Sequence, residues 1–110
     1  MYKTISSQAA ANQGDSPVVD VPGRLVGVAV NVGFDAPTQI SLMMNTPVGD
    51  GEVMYDRGNT ATSANVAGVK YIPAPPDMPV GNNRYFLRFS AASTGVRNIA
   101  WYYDDMPAVY

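Results

Sequence analysis

The chain has 110 residues, which leaves room for one domain and no second core. It is 46% hydrophobic and 15% charged with a formal charge of -2, which excludes a disordered tail, a basic nucleic-acid arm and a coiled coil. With no Cys and no His, a disulfide scaffold, a thiol nucleophile, a His-based triad and an ordinary zinc site are excluded too.

Residues 1–16, MYKTISSQAAANQGDS, are polar and carry no strong strand pattern. They contain no apolar run of signal-peptide length. They are set apart as an N-terminal arm from a domain over residues 17–110. The arm is either a frayed terminus or a segment that reaches onto a neighbouring subunit, with Tyr2 and Ile5 as its apolar anchors. Its single helical turn, Ser7 to Asn12, is too short to persist alone in water. Glu occurs once, Lys twice and Leu three times, while Val, Thr, Asn, Gly and Pro abound, so strands are expected in place of helices.

Val18 to Val21 reads as an edge strand, because Pro17 and Pro22 bracket it and cannot donate to a ladder. Arg24 to Phe34 alternates strictly. Val26, Val28, Val30, Val32 and Phe34 form a core face, and Gly27, Ala29 and Gly33 form a small face that admits a covering loop or a neighbouring subunit. Gln39 to Asn45 places Ile40, Leu42 and Met44 together. Val53 to Tyr55 and Val66 to Ile72 are weaker strands. Pro73 to Pro79 predicts an extended crossover of the kind a Greek key needs. Arg84 to Ser90 turns Tyr85, Leu87 and Phe89 inward and Arg84, Phe86 and Arg88 outward. Val96 to Asp105 puts Ile99, Trp101 and Tyr103 on one face. Ala92 to Gly95 is expected to join these last two strands as a hairpin. The fold class is therefore all-β: a single antiparallel β-sandwich, jelly-roll-like with a Greek-key crossover.

Little ionisable chemistry remains for a reaction. Asp50 with Glu52, Asp56, and Asp104 with Asp105 are the only carboxylate groupings, and a sandwich this small has little room for a catalytic cleft. No enzymatic activity and no cofactor are expected. The stretch Val48 to Asp56 offers oxygen ligands of the kind calcium takes, but Gly51 and Val53 stand where an EF-hand loop needs ligands, so turn chemistry accounts for it. Arg84 and Arg88 flank Phe86 on one face, a composition that protein interfaces enrich. They are expected to pair with Asp104 or other acids, and the negative net charge argues against nucleic acid. Tyr102 is the best candidate for an exposed aromatic, which keeps a small carbohydrate-binding module open as an alternative function. The C-terminal MPAVY, with Val109 and Tyr110, is an apolar tail expected to dock on its own domain or on a partner. No stretch is long enough to span a membrane.

Low charge, many small residues, several Met and Tyr, and a short polar N-terminal arm together give a texture that resembles small bacteriophage virion proteins of the minor capsid, decoration or spike type. The resemblance implies a virion location and a homo-oligomer, a trimer most often, seated on a capsid lattice among other capsid proteins. No repeat or shaft sequence is present, which departs from fibres and tail spikes. On this basis the interface residues are expected to be Tyr2, Ile5, Arg84, Phe86, Arg88, Tyr102, Val109 and Tyr110.

Overall fold

Period-two alternation becomes eight strands: β1 (Tyr2–Ala9), β2 (Val19–Pro22), β3 (Arg24–Val32), β4 (Ile40–Thr46), β5 (Gly49–Asp56), β6 (Gly68–Pro73), β7 (Asn82–Phe89) and β8 (Arg97–Asp104). The computed structural model describes residues 2–10, 14–32, 40–56, 68–75, 78–79, 81–89 and 95–105, and no helix occurs among them. Two four-stranded antiparallel sheets pack face to face, in the orders β1-β8-β3-β6 and β2-β7-β4-β5. β1 pairs with β8, β2 with β7, β3 with β6 and β4 with β5, so strand positions in each of these pairs sum to nine. That is the pattern of one long two-stranded ribbon folded over on itself. Every connection except β4–β5 crosses from one sheet to the other.

The core lies between the sheets. Val28, Val30, Ile99 and Trp101 of the first sheet meet Ile40, Leu42, Tyr85, Leu87 and Phe89 of the second, all of them buried. Each such side chain contributes roughly 1.5–3 kcal/mol. Trp101 stacks on Tyr85 across the gap, with ring centroids 6.5 Å apart and planes inclined by 26°. The indole N–H donates to Ser7 Oγ at 3.0 Å. Arg97 is buried at one end of the same face, its guanidinium 4.1 Å from the centre of the Phe89 ring.

Several sequence expectations are corrected. β7 and β8 do not form a hairpin, because they belong to opposite sheets. Their apolar faces approach one core from two sides. The hairpin that does exist is β4–β5, where Gly49 takes a φ of 127° and its carbonyl accepts a 2.7 Å bond from Thr46 Oγ1. Val26 is not a core residue. The β3–β8 register slips between Leu25 and Gly27, so Leu25 is fully buried while Val26 sits half-exposed at the bulge. Val32 and Phe34, also expected in the core, have side chains outside the described residues.

The supposed N-terminal arm is woven into both sheets. β1 pairs with β8 along its whole length, from Tyr2 opposite Asp104 to Ala9 opposite Arg97. Further on, Ser16 N donates to Leu87 O and Leu87 N donates to Ser16 Oγ, both at 2.8 Å, which prolongs the β2 ladder along β7. An edge strand draws its stability from backbone pairing and needs little apolar alternation, which is why the segment reads as polar. β2 lies at the edge of its sheet, as the flanking prolines require. The Pro-rich segment after β6 crosses between the sheets; Ala74 N donates to Val26 O at 2.9 Å, and Met78 is buried in the core.

Two outcomes are expected. Among the described residues the fully buried Tyr85 hydroxyl has no hydrogen-bond partner, and burial pushes its pKa above the ordinary 10.0. Tyr85→Phe removes the orphan group, so it should raise stability by up to about 1 kcal/mol, a few degrees in Tm. It should also flatten the loss of stability that sets in above pH 10.0, where the unfolded phenol ionises and the folded one resists. Lys3 Nζ lies 3.0 Å from Asp105 Oδ2, and this hydrogen bond raises the lysine pKa and lowers that of the aspartate. The latch on the start of β1 is therefore complete above pH 3.8, where the unfolded carboxylate is ionised, and lost as pH falls through the lowered folded value. On the alkaline side it is complete below pH 10.5 and lost as pH rises through the raised lysine value. The protection of the Lys3 and Thr4 amides, measured relative to the intrinsic exchange rate at each pH, should fall at both extremes, and Lys3→Met should abolish that change in protection.

Candidate functional site

The sandwich has two outer faces of different chemistry. On the second sheet, outward positions carry charge. Arg84 Nε lies 3.2 Å from Asp20 Oδ1. Arg88 grips Asp15 through two hydrogen bonds of 3.0 and 3.1 Å and reaches Asp50 at 3.8 Å. Asp50 also accepts a 2.8 Å bond from Asn45 Nδ2. The expected pairing of this arginine stripe with acids is present, but the acid is not Asp104, which lies in the other sheet and sits 3.9 Å from Arg24. Phe86 differs in burial from the two arginines beside it. It points away from the core as alternation demands, yet it is buried, opposite Met43 in the ladder and with the Arg88 guanidinium 5.4 Å from its ring centre.

On the first sheet, four strands present small, amide and tyrosine side chains. Beyond the Arg24–Asp104 pair at one end, none of the described outward residues is charged. Ala29 of β3 faces Ala100 of β8, and Ser6 of β1 lies beside them in register. These short side chains floor an open trough of about 610 Å³. One end is built of amides: Gln8 Nε2 donates to Asn98 Oδ1 at 2.8 Å, and Asn98 N donates to Asn31 Oδ1. Toward the other end stands Tyr102, paired with Tyr71 of β6 at 6.1 Å between ring centroids and an inclination of 55°. Tyr71 reaches across Gly27, where a Cβ would fall on its hydroxyl. The small face of β3 is thus covered in part by a tyrosine from the neighbouring strand. Val69 is 72% exposed and Tyr2 is 68% exposed on this same side.

Of the expected interface residues, Tyr2 and Tyr102 share this face. Ile5 turns inward and is half-buried against the core. Arg84 and Arg88 lie on the opposite face in ion pairs, and Val109 and Tyr110 are outside the described residues. Tyr71, Gln8 and Asn98 escaped sequence reasoning. Only the β1–β8 pairing brings Gln8 and Asn98 together in the trough, only the β6–β3 pairing sets Tyr71 beside it against Tyr102, and nothing local encodes which strands become neighbours.

The carboxylates are distributed, not focused. Asp50 and Glu52 are on β5 in the second sheet, while Asp104 and Asp105 engage Arg24 and Lys3 at the end of the first. The described residues contain no group of three acids placed to hold a metal ion. A second, shallower depression of about 280 Å³ lies beside the β4–β5 hairpin, where Asp50 and Glu52 sit. No family model, curated protein or solved structure matches this chain.

The Tyr71–Gly27 contact is open to test. Gly27→Ala should cost about 1–3 kcal/mol by overpacking. Tyr71→Ala in the same chain should recover most of that loss, so a double-mutant cycle read by urea unfolding should give a clear coupling between the two positions.

Proposed function

We propose that this protein is a non-enzymatic structural component of a virus particle, of the decoration, minor capsid or spike class, which works by self-association and by packing on a capsid shell. The observation that carries the proposal is the outer face of the first sheet. It is broad, nearly free of charge and rich in tyrosine and small residues, whereas the opposite face is laced with ion pairs. Depletion of charge with enrichment of aromatics marks the centre of a protein interface, and a patch of this kind on a small domain points to a partner.

The strand order agrees with this reading. Eight strands paired first with last in two sheets support reading the sandwich as a jelly roll, a plan that capsid and lectin domains both use. That link is an analogy at the level of fold and carries no function by itself. The partners proposed are further copies of the chain and the other proteins of the shell.

A second reading rests on the trough. Two tilted tyrosines beside a cluster of amides on a neutral floor suit a small uncharged saccharide, whose C–H faces stack on aromatic rings and whose hydroxyls bond amides.

The readings separate in solution. An assembly protein should show a light-scattering mass that is a multiple of 11.7 kDa. Ala100→Arg, which places a charge at the centre of the neutral face, should shift the population toward smaller assemblies. A wild-type mass of one copy across the micromolar range would count decisively against assembly. The saccharide reading predicts a tyrosine or tryptophan fluorescence change on titration with neutral sugars, lost in Tyr102→Ala.

A further inference from the structure

The four edges of the two sheets differ in how well they are guarded against pairing with another chain. β2 contains Pro22 and follows Pro17, and β6 ends in Pro73. β5 carries Gly49, Gly51, the acids Asp50 and Glu52, and a register slip opposite Leu42 and Met43. Prolines, charges and bulges are the devices that keep exposed strands from joining others. β1 has almost none of them. Its eight residues, YKTISSQA, include no Pro and no Gly and stay in unbroken register with β8. Its one charged side chain, Lys3, is drawn to Asp105. Among the described residues nothing pairs with its outer side.

We infer that β1 is a self-pairing edge: two copies of the chain join antiparallel along β1, merging their first sheets into one continuous eight-stranded sheet about a two-fold axis. The inference rests on the self-association proposed above and adds an edge contact between two copies to the face contact proposed there. The register follows from alternation. Residues directly opposed across an antiparallel ladder must lie on the same face, so their positions must sum to an even number. A sum of ten sets Ile5 opposite the partner's Ile5, Thr4 opposite the partner's Ser6, and Lys3 opposite the partner's Ser7. Ile5 is the only large apolar side chain on the inward face of β1, and it is half-buried at the rim of its own core. Joining the two copies there covers both rims and makes the two cores continuous. A sum of six would oppose the two Lys3 side chains, and a sum of eight would set each Lys3 against Ile5. At a sum of ten the two lysines stand four residues apart along the ladder, roughly 13 Å, beyond the screening length at physiological salt. Such a contact is isologous and closes on itself, so it limits growth to pairs instead of open filaments.

The chain has no cysteine, so an introduced thiol reports on one position alone. Under mild oxidation Ile5→Cys should form a covalent dimer on non-reducing gels, several-fold more than Gln8→Cys, which this register places opposite the partner's Tyr2. A mixture of Thr4→Cys and Ser6→Cys copies should cross-link while either alone does so weakly. Those two positions are exposed, so this arm does not depend on replacing a core residue. Adjacent pairs in an antiparallel ladder alternate between wide and close spacing, so one of the two designs meets the geometry a disulfide needs. The wild-type mass should be two copies or an even multiple. A multimer without position-selective cross-linking, or a closed assembly of three copies, overturns β1 pairing and leaves self-association standing. A single-copy mass removes both.

Discussion

Trp101 and Tyr85 meet between the sheets, one from the middle of β8 and the other from the middle of β7, and both are fully buried. These are the two largest fully buried side chains among the described residues, so their stack sets the separation of the layers and the level at which the smaller Val, Leu and Ile side chains must interlock. The indole N–H is satisfied by Ser7, which ties the edge strand β1 to the same point. The polar first residues of the chain are in this way held by the centre of the core. Tyr85 contributes area and shape but leaves its hydroxyl without a partner among the described residues, a local cost the packing tolerates.

Around that stack the chain crosses from sheet to sheet at nearly every connection. Crossings are tight where β2 becomes β3. A single residue, Gly23, separates the two strands, and a Cβ there would fall on the carbonyl of Asp104. The consequence is that no outer face is built from consecutive sequence. The trough draws on β1, β3, β6 and β8, and its amides from β1 and β8 come together only because the first and last strands pair. Function, on the reading advanced here, belongs to surfaces assembled in this way: a neutral face for packing, an edge for joining copies, and a charged face closed on itself by ion pairs.

The division of charge between the faces has a physical basis in alternation. Arg84, Arg88 and Asp20 occupy outward positions of the second sheet, where water and neighbouring opposite charges stabilise them without desolvation. The outward positions of the first sheet hold Ala29, Ala100 and Gly27, which cannot shield backbone from a partner and leave space for a close approach. Tyr71 fills part of that space within the chain itself.

Alternation along the sequence determined that this protein is built of strands, that Ile40, Leu42, Tyr85, Leu87, Phe89, Ile99 and Trp101 are core, and that the prolines around residues 17–22 confine that strand to an edge. These are local consequences of side chains pointing to opposite sides of an extended backbone and of proline lacking an N–H. Partner choice among strands is not local. The crossing of β7 to β8 in place of a hairpin, the bulge that exchanges Val26 for Leu25, the burial of Phe86 on an outer face and the meeting of Tyr71 with Tyr102 all depend on which distant segments lie side by side. Only the tertiary structure decided those, because hydrogen-bonded pairing is indifferent to side-chain identity and takes its register from the packing of the whole core.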